Sequence, residues 1–451
     1  MKAGKQPDGG CCVNTPDQFT KYNKMRSFAS FLLALPFLLC PLLLPAQDTS
    51  TESQTIDPDI RAAQLYLVGA PLTLPIVELK TAPNTMLLEF DHLGSDLKDY
   101  LYTIVHCDSD WQPSDLIDNE YIDGFTEDRI TNIESSFNTL LQYTHYSLGL
   151  PNRNMRWSRS GNYILKVFDN DDESRLVLVR RFCVVEPRWR VDAKLVSPVV
   201  VNKLKTHHEI DFSVNHRGTR IFNPQNDVKA FVLQNGRWDS ALGPLPPFIT
   251  REDQLVFDYQ DKVVFPAGKE WRFFDIRTFE FRGERVKTIN QKYDFYEVTL
   301  ETDNDRSGSN LSFRGDLNGR YSVENQNYNQ TLLQCDYARV LFSISRNLPF
   351  DDEDVYVFGE LTDWQLKPEY KMEYSPEVKA YYCESPLLKQ GYYNYGYQIV
   401  NRETGEIDED GFEGNSYETS NLYTVLVYFR VFGERYDRLM AAATIDSRDR
   451  R

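Results

Sequence analysis

Short apolar runs that alternate with polar residues and end in turn residues recur along nearly the whole chain, and no long segment of 3.6-residue periodicity competes with them. Successive side chains of a strand point to opposite faces, so this pattern builds half-buried pleated surfaces rather than amphipathic helices. The 27 Tyr and 27 Phe point the same way, because aromatic and β-branched residues fit pleated surfaces. The fold class expected is all-β.

One stretch breaks the alternation. Phe31 to Ala46, FLLALPFLLCPLLLPA, is continuously apolar, lies behind Lys21, Lys24 and Arg26, and ends on a small residue before the polar Gln47. A basic region, a leucine-rich core and a small residue are the parts of a secretory signal peptide. At 16 residues with Pro36, Pro41 and Pro45 inside it, the run is too short and too broken for a membrane-spanning helix. Cleavage is expected after Ala46, with Gln47 as the new N-terminus and Met25 as the start that gives the most compact leader. Cys40 follows Leu39 rather than a small residue, and the apolar run continues past it, so lipidation there is not expected.

Removing residues 1–46, which hold five Lys/Arg and two Asp/Glu, leaves 45 basic and 65 acidic side chains, a formal charge of −20. Such a surface repels nucleic-acid phosphates and anionic membranes, and direct membrane insertion is not expected. Four cysteines remain, Cys107, Cys183, Cys335 and Cys383. In an oxidising compartment they can pair as Cys107 with Cys183 and Cys335 with Cys383, or stay as small buried hydrophobes in strand-like segments such as YTIVHC and RRFCVV.

The strand pattern divides into three blocks. Residues 47–64 are polar and expected to be disordered. A first β-sandwich is expected over 65–187, where GNYILKVFD and LVLVRRFCVVE flank the turn residues Asn170 to Glu173 as a hairpin. A second is expected over 188–304, and the Gly-, Ser- and Asn-rich stretch 305–330 reads as a linker. A third, immunoglobulin-like, is expected over 331–445. The architecture is therefore three tandem β-sandwiches.

Catalytic chemistry finds little support. The six histidines, at 92, 106, 145, 207, 208 and 216, form no HxH or HExxH pattern. There is no nucleophile elbow, P-loop or dinucleotide fingerprint. The acidic clusters at 169–172, 351–354 and 408–410 lack calcium-loop spacing and fall where turns are expected. No enzyme, metal or cofactor is expected. The polar stretch Asp115 to Arg129 is the favoured partner surface, with Asp115, Asn119, Tyr121, Asp123 and Phe125 as candidate contacts, because loops carry binding more often than cores do.

Long strings are distinctive: CDSDWQPSDLIDNEYIDGFTEDRI from Cys107, then SSFNTLLQYTHYSLGLPN, WSRSGNYILKVF, NHRGTRIFNPQNDVKAFVLQNGRWDSA, PAGKEWRFFDIRTFEFRG and EGNSYETSNLYTVLVYFRVFGERYDRLM. They cover nearly the whole chain after the leader and resemble the plug protein family of the type IX secretion system of Bacteroidetes. The resemblance implies a non-enzymatic periplasmic protein, associated with the outer membrane, that binds the translocon barrel and closes it between cargoes. Within the third block, VYVFGELTDWQ and QGYYNYGYQIV are similar to immunoglobulin-like glycogen-binding modules, in which two tryptophans stack on sugar. Trp364 matches the first as a possible sugar contact; NRETGEIDEDGFEG, after Val400, supplies no second. The likeness implies shared fold more than shared ligand. A carbohydrate-binding or cell-surface interaction protein is the alternative function. Mass analysis of the exported protein is expected to read an N-terminus at Gln47, and an acylated Cys40 is the contrary result.

Overall fold

The computed structural model describes residues 50–94, 96–309, 314–327 and 332–449. The expected cleavage pair Ala46 and Gln47, with Met25 and Cys40, lies outside the described residues. Almost all regular structure is strand, and no helix among the described residues is long and apolar enough to cross a membrane.

The first sandwich packs two sheets. One runs Gln54–Thr55, Asp172–Val185, Gly161–Asp169, Tyr100–Cys107, Asp128–Arg129, with Ile76–Glu78 parallel to Asp172–Val185. The other runs Ile60–Leu67, Met86–Leu93, Tyr143–Leu150, Asn132–Ser135. Between them lie Leu88, Phe90, Tyr102, Tyr146, Tyr163 and Val177, all fully buried. The hairpin expected at Asn170 to Glu173 is present, with Asp169 opposite Asp172. The N-terminal stretch is not disordered where it is described: Gln54 and Thr55 pair with Val179 and Leu178, and the Thr55 N–H donates to the Asp363 carboxylate at 2.9 Å. Its polar residues are ordered by backbone pairing, which leaves no hydrophobic signature.

The middle sandwich departs from a tandem arrangement. One sheet runs Arg190–Val196, His207–Asn215, Gln254–Phe257, Ile249–Thr250. The facing sheet runs Leu242–Leu245, Val228–Gln234, Leu422–Phe429, Arg438–Asp446, so half of it comes from the C-terminal end of the chain. Val228 to Gln234 pair with Phe429 to Tyr423 in unbroken antiparallel register. Tyr423, Val425 and Val427 thus close the core around Ile210, Phe212 and Phe257. The expected boundaries at 304 and 331–445 are corrected accordingly. The middle sandwich is 188–266 completed by 422–446, and the third unit is inserted between its halves.

That third unit is one eleven-stranded sheet that bends back on itself. It begins with Arg272–Asp275 beside Gly391–Asn401 and ends with Tyr296–Leu300 and Val286–Gln291. Phe274, from the first edge, meets Phe342 across the core with ring centroids 5.5 Å apart. Tyr393, Tyr395 and Tyr397 alternate into this core, as period two requires, while Tyr392 faces outward and stacks on Phe273. Residues 305–330 do not act as a linker where they are described. Tyr321–Val323 pairs with Gly391–Asn401, and Arg306 donates to Glu413 at 2.5 Å.

A fourth apolar cluster explains why Leu176 to Val185 reads as nearly continuous apolar sequence. Ile164, Val179 and Cys183 on the outer face of the first sandwich pack against Leu233, Leu426, Tyr428 and Leu439 of the middle one. Both contacting sheets are therefore covered on two faces. Cys107 and Cys183 sit in this layer as free thiols, and each is opposite Asn162 on the strand between them. Two strand spacings, ~9.5 Å, exceed what a disulfide spans. Cys335 and Cys383 are buried thiols outside any disulfide. Cys383 pairs with Phe342, well along the strand from Cys335, so neither expected pair forms.

The inserted arrangement predicts the effect of truncation. Ending the chain before Leu422 is expected to expose the middle sandwich core, so limited proteolysis should cut within 190–266 while 60–186 survives. A truncated chain resisting cleavage throughout 190–266 would contradict the completed sheet.

Candidate functional site

Each seam between the three units is closed by a buried charged side chain. Between the first and third units it is Asp91, on Met86–Leu93. Its side chain accepts from Lys389 Nζ, from the Tyr337 hydroxyl and from His145 Nδ1, the last at 2.7 Å. Lys389 and Asp91 side chains are each 1% exposed. Burial alone would raise the Asp91 carboxyl, yet Lys389 and His145 hold it below the usual carboxylate range. Burial would likewise lower His145, but Asp91 and Glu89 outweigh it and push the imidazole up to about 9. The imidazolium, with Nδ1 donating to Asp91 and Nε2 3.6 Å from the Glu89 carboxylate, is the form that fits.

Between the first and middle units the group is Asp437. It accepts from Ser109 Oγ at 2.7 Å, Arg430 Nε at 2.7 Å and Lys229 Nζ at 3.1 Å. Between the middle and third units Arg237, 4% exposed, forks onto Glu409 at 2.7 and 3.0 Å and onto Asp239 at 2.6 Å. Arg180 adds a first-to-third contact with Asp363 at 3.1 Å. Removing one member of such a pair strands a charge away from water, so these seams strongly disfavour opening.

The expected partner loop lies at one edge of the first-to-middle seam. Asp118–Tyr121 forms a single helical turn, and Ile122–Gly124 pairs with Met155–Trp157. Asp115, Asn119, Asp123 and Phe125 are exposed, as a contact surface requires. Tyr121 is not available. It is 3% exposed, packed against His106 and Tyr163, and its hydroxyl donates to Asp118 at 2.5 Å. The loop is tied to the hairpin turn of the middle unit, where Arg435 donates to the Asp115 carbonyl at 2.6 Å and pairs with Glu120. Sequence reasoning missed two neighbours on that side, Ile117 at 67% exposure and Phe432 at 87%, the latter 6.2 Å from the exposed Phe222. Each is a lone apolar residue in a turn; Ile117 belongs to the loop itself, and Phe432 shares the late hairpin turn with Arg435, which ties that turn to the loop.

Trp364 is not an open sugar platform. Its ring is half-buried, meets Trp271 edge-on at 5.6 Å and Phe358 at 5.8 Å, and lies 5.6 Å from the Arg237 guanidinium. Gly319, at φ +81, brings backbone against both indoles: a Cβ there would stand 2.6 Å from Trp364 Cη2. The tryptophan is structural cement at the seam. Trp111 and Trp157, each 5% exposed, are likewise packing residues.

Residues 60–186, which are the first sandwich, match the family model described as the type 9 secretion system plug protein first domain. The chain is also 32% identical to a hypothetical protein from Parabacteroides merdae ATCC 43184 of known crystal structure. That match covers 88% of this chain and 99% of the other, with a TM-score of 0.83. The chain belongs to the type 9 secretion system plug protein family. No curated protein matches it. For this plug-family chain, the all-β class and the secretion-system context follow directly.

The Asp91 cluster makes a measurable prediction. Lys389→Met is expected to cost about 3–5 kcal/mol by denaturant unfolding. Asp91→Asn in that background should cost much less than it does alone. The pH dependence is signed. Because the folded His145 is raised to about 9, its contribution is complete below its unfolded value near ~6.5 and is lost as pH rises through 9. Asp91, held low, contributes above ~3.9 and is lost as pH falls below that. His145→Gln should flatten the alkaline limb; an unchanged limb would remove His145 from the account.

Proposed function

We propose that this protein is a non-enzymatic periplasmic stopper that binds the periplasmic mouth of the type 9 outer-membrane translocon barrel and closes it when no cargo passes. Family membership supplies the context. The observation that carries the reading is mechanical: three β units are locked by an inserted topology and by a buried charge at every seam. A channel wide enough for folded cargo needs a wide, stiff body to close it. A flexible string of tandem domains would be threaded or pushed aside.

The contact surface proposed is the exposed part of the 115–125 loop together with Ile117, Phe222 and Phe432. Seating is governed by shape and apolar contact, since charge beyond about 8 Å is screened at physiological salt and mainly tunes the encounter rate. The leader sequence and the acidic composition support a periplasmic partner of the barrel rather than an inserted one.

A tagged protein is expected to recover a large barrel protein from detergent-solubilised outer membrane, most strongly without cargo. Phe432→Asp combined with Ile117→Asp should weaken recovery about tenfold or more, as loss of buried apolar contact predicts, without lowering the melting temperature. Deleting the gene should admit large antibiotics while secretion continues. Complete loss of secreted cargo with unchanged antibiotic uptake would indicate a carrier or assembly factor instead.

A further inference from the structure

The seam between the first sandwich and the inserted unit holds a cleft of about 410 Å³, within the range of small-molecule sites. One wall is drawn from Thr55 to Ala63, the other from Glu360 to Tyr370 and Pro386 to Lys389. Nearly every charge on these walls is committed. Asp57 pairs with Arg175 at 2.6 Å, Glu360 with Arg320 at 2.9 Å, Asp363 with Lys367 at 2.7 Å and with Arg180 at 3.1 Å, and Lys389 with Asp91. Arg61 and the exposed Glu369 also line the cleft, and neither makes an ion pair among the described residues.

A β-bulge sets Arg61 on its wall. Arg61 stands opposite Asp91 and Gln64 opposite Glu89, so Ala62 and Ala63 share the single place facing Phe90. Ala62 takes φ +51, in the left-handed region that a non-glycine residue seldom occupies. Backbone held in this way clusters at sites that bind or switch. The Arg61 guanidinium donates through Nη1 to the carbonyl of Pro58 and, at 2.8 Å, to that of Ile60, whereas Nη2 makes no hydrogen bond and is not sealed from solvent.

Two tyrosines on the cleft repeat the pattern. The hydroxyls of Tyr321 and Tyr370 make no hydrogen bond among the described residues and are not sealed from solvent, although the residues are only 7% and 3% exposed. The little surface these side chains keep therefore includes the hydroxyl. Burial raises the Tyr370 phenol, Glu369 raises it further and Arg61 opposes both, so the three groups lie within electrostatic reach of one another and the phenol stays a donor. Tyr321 stacks on Tyr393 with ring centroids 5.0 Å apart, and Leu361 and Leu387 add aliphatic surface.

One guanidinium edge and one phenol without partners, beside aromatic and aliphatic walls, suit a single negative charge on an apolar body. A dianion would meet the wall carboxylates with only one free cation to offset them. We propose that this cleft binds an apolar monocarboxylic acid, its carboxylate accepting from Arg61 Nη2 and the Tyr370 hydroxyl and its body lying against Tyr321, Leu361 and Leu387. An occupant touches both units beside the Asp91 cluster and would hold that seam shut. The proposal does not rest on the stopper reading.

The test is calorimetric titration of the protein with octanoate and, separately, 4-phenylbutyrate, up to about 3 mM, a range that reaches weak sites. Saturable binding of at least one is expected; preference for the first would mark a fatty acid and for the second an aromatic acid. The uncharged octan-1-ol should bind about tenfold or more weakly than octanoate, as loss of a charge-assisted hydrogen bond predicts. Tyr370→Phe removes a hydroxyl that has no partner in the protein, so it should weaken octanoate binding about fivefold or more at an unchanged melting temperature. Arg61→Met should weaken it about tenfold or more. Glu369→Gln should tighten it, most clearly at low salt, because a like charge leaves the rim. The proposal falls if neither acid saturates, if octan-1-ol binds as well as octanoate, or if stably folded Tyr370→Phe binds as the parent does. Barrel recovery by the same Tyr370→Phe protein tests the stopper reading separately and should be unaffected.

Discussion

The pairing of Leu422–Phe429 with Val228–Gln234 is the constraint from which the rest of the architecture follows. Seven residues of register join segments nearly two hundred positions apart, and the apolar faces they bring together cannot be satisfied any other way. Once that sheet closes, everything between Pro266 and Leu422 must leave and re-enter through two adjacent crossovers. The third unit is then held at both ends. The same sheet offers its outer face to the first sandwich. Leu426, Tyr428 and Leu439 meet Val179 and Cys183, which turns two sandwiches into a four-layer stack.

Polar chemistry adds what apolar layers cannot. Apolar contact is non-directional and tolerates sliding, whereas a carboxylate taken out of water is stable only with its donors in place. Asp91, Asp437 and Arg237 each draw partners from different units, so each seam has a single satisfied arrangement. Asp303 does the same inside the third unit, where Arg272 and Arg285 and the hydroxyls of Tyr395 and Tyr397 converge on it. The many tyrosines serve this design, since each buries a ring and still brings a donor to an interior acceptor. Stiffness of this kind is what the proposed stopper role requires.

Much was legible in the sequence, and for identifiable reasons. Period-two alternation and aromatic content settle the all-β class because both are local properties of a pleated surface. The hairpin about Asn170 to Glu173 is local in the same sense. The distinctive strings after Cys107 carried the family. What misled was also physical. A strand that completes a distant sheet has the same alternation as one that pairs with its neighbour, so YTVLVYFRVFG reads as part of the block it follows. Polar stretches held by backbone pairing, such as Gln54–Thr55 and Tyr321–Val323, carry no hydrophobic pattern and read as tail and linker.

The candidate sites divide along the same line. By itself the sequence determined which residues could be used: the exposed Asp115, Asn119, Asp123 and Phe125, the cysteines, Trp364, and the acids of 408–410. Only the tertiary structure decided how. It turned Tyr121 inward, set Cys107 and Cys183 on either side of Asn162, and closed Trp364 against Trp271. It also tied the turn that carries Phe432 to the 115–125 loop through Arg435. Side-chain type and alternation are written locally. Which strand supplies the other half of a sheet is fixed by loop closure and burial over the whole chain, and no window of sequence contains it.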